Sequence, residues 1–540
     1  MFRKTSPQSS LLEVDSYLAN ILPEHDWSRT YRDRVLPLIE EDKFQHFYSD
    51  LKGRYNAPVR AMISILIFMG QEKLNWRNAE FQFPRRLDWL LATNTPLAEA
   101  SIDHTTLFKF YQRLENNDTA TKLFTDLTEA FIKACGTSLK KQRTDSFFIH
   151  GWLRKLSRYG LFKETIRNFL KTLKKQKLEL YENINKDLSQ DYLEKDFDLT
   201  EKDQELVQRK ISLMAQDLYR LKNAFENHSK IKKYDTFKIL CKVFNQQCEI
   251  KENDNGDSEI VIKEKPDKGA ICTPHNVEAR YNSKGKQKVT GDKGFITETC
   301  DSENKVQFFT DIEVTEATAS DAKQQPEIQE RLSDNDFKPD EQYGDAGFVN
   351  GKSILESEEN GIELHGPTAG RSQSFEAYEN KDRPLDAGDF DITIDEQTNE
   401  LIVNKCPNNQ APKDQKRSDQ TGKMIVHFDP EICNSCVKAQ RCPVKIGKRV
   451  ATYTVSNTEY TGAVRHHQYM SDIAYRKQCA IRAGVEASVS ELTRGYGMRK
   501  SRHRKRSRTK LQLIFAALAC NVQRFIRYGE QYAYLEPKFT

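Results

Sequence analysis

No stretch of this chain is apolar for long enough to cross a bilayer. Its most apolar run, Ala61-Met-Ile-Ser-Ile-Leu-Ile-Phe-Met69, falls far short of the ~20 residues a spanning helix needs and suits a buried helix. The first ten residues carry Arg3 and Lys4 with no apolar segment behind them, so no secretory signal is expected. Nor is there a disulfide framework: the 11 cysteines are an odd number scattered over 540 residues, which argues for reduced thiols in a reducing cytoplasm. No internal repeat is present.

What is abundant is charge. Charged residues make up 30% of the chain, with a net charge of +5 and a mean hydropathy of −0.75, the profile of a soluble, mildly basic protein long enough for roughly three or four domain-sized units. The mild total hides local imbalance. Acids dominate from about Glu356 to Glu400, whereas Arg494 to Lys510 holds nine Lys or Arg among seventeen residues and no Asp or Glu. A polyanion should meet the second region and avoid the first.

Residues 1–137 read as an all-α domain, with Pro58 suited to the first turn of a helix whose stripe is Val59, Met62, Ile63, Leu66, Ile67 and Phe68. Asp103 is a candidate cap for a helix reaching Glu115. Two such helices could form a helix-turn-helix reader of DNA, or a bundle used for packing or dimerisation. The segment Leu139 to Ile149 is a candidate strand carrying Asp145, with a first half basic enough to count against burial. Residues 150–250 read as a helical insertion, and Lys251 to Glu259 as a polar loop. Strand character returns at Lys293–Cys300 and Val306–Val314, followed by a short helix from Pro326 to Leu332 and a strand-like Asp340 to Phe348. This order predicts an α/β sheet of mixed strand direction. An acidic, turn-rich stretch with short strands at Leu401–Val403, Met424–Phe428 and Arg449–Val455 makes 350–460 a β insertion, and an apolar helix covers Leu511 to Phe525.

Three acids stand out by setting: Asp145 and Asp345 on or just after strands, and Glu486 on an amphipathic helix expected to start near Arg465, one turn beyond Arg482. Together they could hold two Mg²⁺ ions, the arrangement that cuts and joins DNA strands. Glu491 competes for the third role but should point away from the Arg482 and Glu486 face. The basic run beside Glu486 suits phosphate contact without base readout.

In these motifs the chain resembles the DDE transposases of bacterial insertion sequences. Ile102-Asp-His-Thr-Thr-Leu-Phe-Lys-Phe-Tyr-Gln-Arg-Leu114 looks like their N-terminal helical domain. Thr144-Asp-Ser146 and Tyr343-Gly-Asp-Ala-Gly-Phe348 look like the two aspartate motifs. Arg482-Ala-Gly-Val-Glu486, Gly495-Tyr-Gly-Met-Arg499 and Ala517 to Arg524 look like the C-terminal signature. The resemblance implies a ribonuclease-H-like catalytic domain over 138–540, interrupted by the helical and the β/Cys insertions, and cut-and-paste DNA transposition in the bacterial cytoplasm at the nucleoid. It implies Asp145, Asp345 and Glu486 as the Mg²⁺ (or Mn²⁺) ligands. Arg482, Arg494, Arg499, Lys500, Arg502 and Arg504 would contact double-stranded DNA, both transposon ends and target, on at least a homodimer, with no membrane partner. Cys479 and Thr493 stand where many relatives have Tyr and Lys, which leaves open a transposase-derived DNA-binding protein without catalysis.

Cys406, Cys433, Cys436 and Cys442 form a Cys-x2-Cys-x5-Cys cluster plus one upstream. Four thiolates at such spacing could hold a structural Zn²⁺ that staples the β insertion, or could be reduced thiols in loops. His427 is a candidate substitute ligand.

Overall fold

The computed structural model describes residues 1–4, 21–49, 55–115, 117–153, 155–184, 192–193, 204–252, 258–284, 287–369, 374–380, 382–395, 398 and 400–532. Its first part is helical: α1 (Val59–Gln71), α2 (Trp76–Gln82), α3 (Leu87–Ala92), α4 (His104–Glu115) and α5 (Thr119–Cys135). Pro58 sits at the N-cap of α1 rather than inside its first turn. Every α1 residue from Ala61 to Met69 is buried, so this helix is core on all sides. Asp103 does cap α4, accepting from the Thr105 N–H at 2.7 Å, and α5 ends on Gly136 in the left-handed conformation (φ 63°) that glycine adopts without strain.

The central sheet is built from β1 (Lys141–His150), β2 (Gln287–Thr299), β3 (Phe309–Glu316), β4 (Glu341–Tyr343) and β5 (Glu363–His365), ordered β3-β2-β1-β4-β5. The first three pair antiparallel; β4 and β5 add parallel to β1 on its other side. A short strand, Arg280–Lys284, also pairs with β2. Helix α9 (Asp321–Asp334) crosses from β3 to β4, and α10 (Gly351–Glu359) from β4 to β5. The helix expected from Pro326 therefore begins five residues earlier, with Pro326 tolerated inside it.

β1 is central despite its Lys and Arg, because its charges find partners far away in sequence: Arg143 pairs with the fully buried Glu298 and Lys141 with Glu341. On one face, buried amides and hydroxyls replace apolar packing. Gln342 donates to Thr144 Oγ1 (2.7 Å) and accepts from Gln325 and Gln329, and Gln142 accepts from Thr310. Each of these bonds satisfies a group that would be costly to bury alone.

The expected boundary at residue 137 is not a break in packing. One hydrophobic core runs from Tyr31 through the sheet to Ile526, carried by the C-terminal helix α14 (Arg506–Tyr532). Phe525 of α14 stacks on Phe131 of α5 at 4.5 Å. Asn521 bonds to Thr128 of α5 and to both backbone groups of Phe309 in β3.

Two insertions have cores of their own. The first comprises α6 (Arg158–Gln176), α7 (Gln204–Phe225) and α8 (Asp235–Gln247). It closes with two paired strands, Cys248–Glu252 against Ser258–Ile262, so both ends of the loop expected over Lys251–Glu259 are strand, while 253–257 lie outside the described residues; Cys248, Ile260 and Ile262 pack on the helices and hold the strands. β5 pairs in the central sheet and Ile354 of α10 packs in the main core, so the separate β core, Ala387 to Val455, lies beyond β5 rather than from 350. It contains a hairpin (Asp391–Ile394, Leu401–Lys405) and a four-stranded sheet in which β6 (Met424–Phe428) pairs with β7 (Ala451–Val455). The helix expected from Arg465 to Glu486 is broken into α11 (Asn457–Ser471), α12 (Ile473–Cys479), a 3₁₀ turn (Ala480–Gly484) and α13 (Val485–Ser490). Asp472 is extended and caps α12, which ends the first piece. Among the described residues, no helix is long and apolar enough to cross a membrane.

Candidate active site

Asp145 and Asp345 occupy matching positions. The parallel register of β1 and β4 ends with Arg143 opposite Tyr343, and each aspartate lies two residues further on, where the two strands part. Asp145 accepts from the Ser146 N–H at 2.7 Å, and Asp345 from the Gly347 N–H at 2.8 Å. Burial pushes the Asp145 carboxyl up to about 6, with Asp345 and Asp321 adding like charge while the Ser146 N–H and Arg482 oppose the shift. Asp145, Asp345 and Arg482 thus interact in the middle of the sheet, at the end where β1 and β4 part.

Asp321 is a third acid here that sequence reasoning missed. A Cβ placed on Gly347 would lie 2.9 Å from both Asp321 Oδ2 and Asp345 Oδ1, so the two carboxylates flank the same glycine. Asp321 opens α9, and its partner is Lys293 Nζ of β2, 2.5 Å away. Lys293 is itself buried, donates to the Ala319 carbonyl (3.2 Å) and lies against the Phe148 and Phe295 rings. The helix expected from Pro326 left Asp321 outside it; its place at the helix start directly after β3 appears only with the fold.

Glu486 is exposed on α13, while Val485 and Ser488 of the same helix are buried. The oxygens of Asp145, Asp345 and Glu486 do not all come within 4.8 Å of one another; what the fold fixes is the segment that carries Glu486. Arg143 donates to the Ile481 carbonyl (2.9 Å) and to Glu298 (2.8 Å). Glu298, with no exposed side-chain surface, also accepts from Ser488 (2.7 Å) and Arg524 (3.1 Å). Arg524 reaches on to Glu491 at 2.8 Å, which gives that glutamate a structural partner away from Glu486. The sequence gives no role to Arg143, Glu298 or Ser488 and marks Arg524 only as the end of the C-terminal signature, because their roles depend on pairing across the fold.

The basic run divides into two sets. Arg494, Arg499, Lys500 and Arg504 are exposed, with Lys500 above the ring of the half-exposed Trp152. Arg502, expected on phosphate, instead donates to the Leu74 carbonyl at 2.6 Å and is half-buried. Arg506 pairs with Asp292, Arg508 with Glu115 and Lys510 with Glu313. Part of the positive charge therefore ties the C-terminal segment to the rest of the molecule. Arg502, His503, Arg504 and Lys505 also line a cleft of about 1580 Å³ together with Trp76 and Phe108.

Two acid and histidine groupings lie within 4.8 Å among the described residues, and neither contains an expected ligand. In one, His104 meets Glu80 at 2.7 Å beside the capping Asp103; in the other, His467 meets Asp386 at 2.9 Å, with Asp389 held by Arg383.

Two stretches match family models. Residues 17–113 match a family described as Transposase domain (DUF772), and residues 405–526 one described as Transposase DDE domain. Two stretches of the chain are thus similar to transposase domains. No curated protein and no solved structure matches it. The transposase DDE match takes in Arg482, Glu486 and the basic run; Asp145 and Asp345 lie upstream of it. The other match ends within α4, on the wall of the cleft. Both families are transposases, so DNA transposition is the function to which they point.

Proposed function

We propose that this transposase cuts DNA at the terminal inverted repeats of an element and joins the freed 3′ ends to target DNA, with Mg²⁺ or Mn²⁺ as cofactor. The reading rests on one observation above all, the paired placement of Asp145 and Asp345 at the parting of β1 and β4. The strand order β3-β2-β1-β4-β5, three antiparallel strands followed by two parallel ones, supports a ribonuclease-H-like catalytic domain.

The donor set fits a hard divalent cation: carboxylate oxygens, partly exposed, with room for water and phosphate oxygens. Asp145 and Asp345 would hold the metal. Glu486 would close the site from α13, and Asp321 would add negative charge balanced by Lys293. Bound there, two Mg²⁺ ions would stabilise charge on the attacking and leaving oxygens of a phosphodiester. Arg482, beside Asp145, would steady the scissile phosphate, and Arg494, Arg499, Lys500 and Arg504 would grip the flanking backbone. Synapsis of two ends takes at least a homodimer, working at the bacterial nucleoid. Hydrolysis places water's oxygen on phosphorus and frees a 3′ hydroxyl; in strand transfer that hydroxyl attacks a target phosphodiester and displaces another 3′ oxygen, so bonds are conserved.

The test is incubation of a pre-cut terminal-repeat end with supercoiled plasmid and Mg²⁺. Joined products are expected from the wild type. Cutting of intact ends without any joining would make the protein a plain nuclease, and DNA binding with neither step would favour a non-catalytic binder.

A further inference from the structure

The β insertion contains a segment that its apolar packing does not explain. From Asp429 to Val450 no residue is buried; Val437 is 91% exposed and Ile432 44%. Its regular structure is one helical turn, Pro430–Asn434, a 3₁₀ turn, Ala439–Arg441, and the two-residue strand Lys445–Ile446. A loop of roughly twenty residues built this way has too little apolar contact to offset its own ordering entropy. What it turns inward is cysteine. Cys433, Cys436 and Cys442 converge on Cys406, which follows the Leu401–Lys405 strand, and all four line one small cavity with Phe428 and Val444. Cys406, Cys433 and Cys442 pack against the small core of the insertion, and none of the four is in a disulfide.

We propose that Cys406, Cys433, Cys436 and Cys442 bind one structural Zn²⁺, which fastens this loop to the insertion's sheet. The proposal stands apart from the DNA-cutting reading and does not depend on it. Two sulfurs already sit where backbone N–H groups favour a thiolate: Gln410 N–H donates to Cys406 Sγ and Lys438 N–H to Cys436 Sγ, each at 3.4 Å. Both cysteines lie in tight turns. Asn409 N–H bonds the Cys406 carbonyl (2.8 Å) with Asn409 at φ 62°, and Cys436 N–H bonds the Cys433 carbonyl (3.3 Å).

Lys405, Lys438, Arg441 and Lys445 flank the cluster in sequence and offset the net negative charge of a Zn²⁺ held by four thiolates. Lys438 is pinned at the cluster by its bond to the Pro407 carbonyl, 2.5 Å. No three of the sulfurs lie within 4.8 Å of one another, wider than the roughly 3.8 Å that tetrahedral Zn–S bonds of about 2.3 Å require. Binding therefore draws the 429–450 loop inward and orders it. His427, the alternative ligand, is engaged elsewhere, 2.8 Å from Asp414, and is not in the cavity wall.

The experiment is metal analysis of the full-length protein purified without chelator, and after removal of metal and reconstitution with Zn²⁺ or Co²⁺. About one Zn²⁺ per chain is expected, Co²⁺ should give thiolate charge-transfer bands, and alkylation of the four cysteines should slow at least about tenfold when Zn²⁺ is added. Cys433→Ser together with Cys436→Ser should abolish binding, whereas Cys135→Ser, on α5, should leave it intact. Because the double variant could misfold, the wild-type alkylation and Co²⁺ spectra stand as independent readouts. A wild-type protein that takes up neither metal, forms disulfides among these cysteines instead, or keeps full stoichiometry in the double variant overturns the proposal.

Discussion

Replacing Glu298 with glutamine removes the charge on which Arg143, Ser488 and Arg524 converge. The Glu298 side chain has 0% exposure, and those of Arg143 and Arg524 have 14% and 15%, so water screens the network weakly. The glutamine would still accept from Ser488, but its amide nitrogen would face a guanidinium. Removing one partner of a buried ion pair costs about 3–5 kcal/mol, and the second arginine places the loss in the upper half of that range. If the strain is relieved by local opening, residues 481–492 detach from β1 on the order of 10³-fold or a few times that more often, at about 1.4 kcal/mol per factor of ten. Hydrogen exchange followed by mass spectrometry reads that opening peptide by peptide, and urea denaturation reads the global share. DNA cutting should fall with it, because the segment carries Glu486, while DNA binding through the exposed arginines stays. Glu298→Leu combined with Arg143→Met should recover part of the stability. An unchanged exchange rate across 481–492 and an unchanged urea midpoint in Glu298→Gln would refute the anchoring role.

Asp145 sets a pH dependence. Its carboxyl is raised from 3.8 to about 6 in the folded protein, so the folded state holds its proton more tightly than the unfolded chain does. Stability from this group is full below about pH 4 and is lost as pH rises through about 6, a difference on the order of 3 kcal/mol. Asp145→Asn should therefore raise metal-free thermal stability at neutral pH, flatten its slope between about pH 4 and 6, and remove stabilisation by Mg²⁺; calorimetry across that range checks all three. Arg499→Ala and Arg504→Ala should each weaken DNA binding and lower the salt slope by about one. Arg502→Ala should instead lower the melting temperature, since it loses the bond to Leu74; titrations at several salt concentrations separate the two classes. Gly351→Ala would put a Cβ 1.8 Å from the Thr458 carbonyl oxygen, where α10 meets α11, and should prevent the β insertion from seating, visible as a large loss of soluble, cooperatively unfolding protein.

What the sequence made legible was local chemistry in chain order. The capped α4, the strands around Asp145 and Asp345, the all-helical start and the apolar C-terminal helix follow from periodicity and turn residues. The misses share a physical cause, partners distant in sequence. Arg143 makes β1 look too polar for a sheet centre until Glu298 is placed beside it. Asp321 lies five residues ahead of the helix expected from Pro326 and gains its setting only when β3 and β4 bracket it. Arg502, Arg506 and Arg508 read as free cations because Leu74, Asp292 and Glu115 come to them only through the fold. Lys251, Glu252, Ser258 and Glu259 read as loop although they end paired strands, because the helices that cover the neighbouring Ile260 and Ile262 are not adjacent in the pattern.

Cleavage of a labelled duplex carrying the element's terminal repeat in Mg²⁺, with binding followed on the same DNA, separates a DNA-cutting enzyme from a DNA-binding protein. Wild type, Asp145→Ala, Asp345→Ala and Glu486→Ala would be compared. All four should bind, and only the wild type should cut. Cutting that survives Asp145→Ala or Asp345→Ala would contradict the proposed function, and so would a wild type that binds the repeat yet fails to cut it with either Mg²⁺ or Mn²⁺.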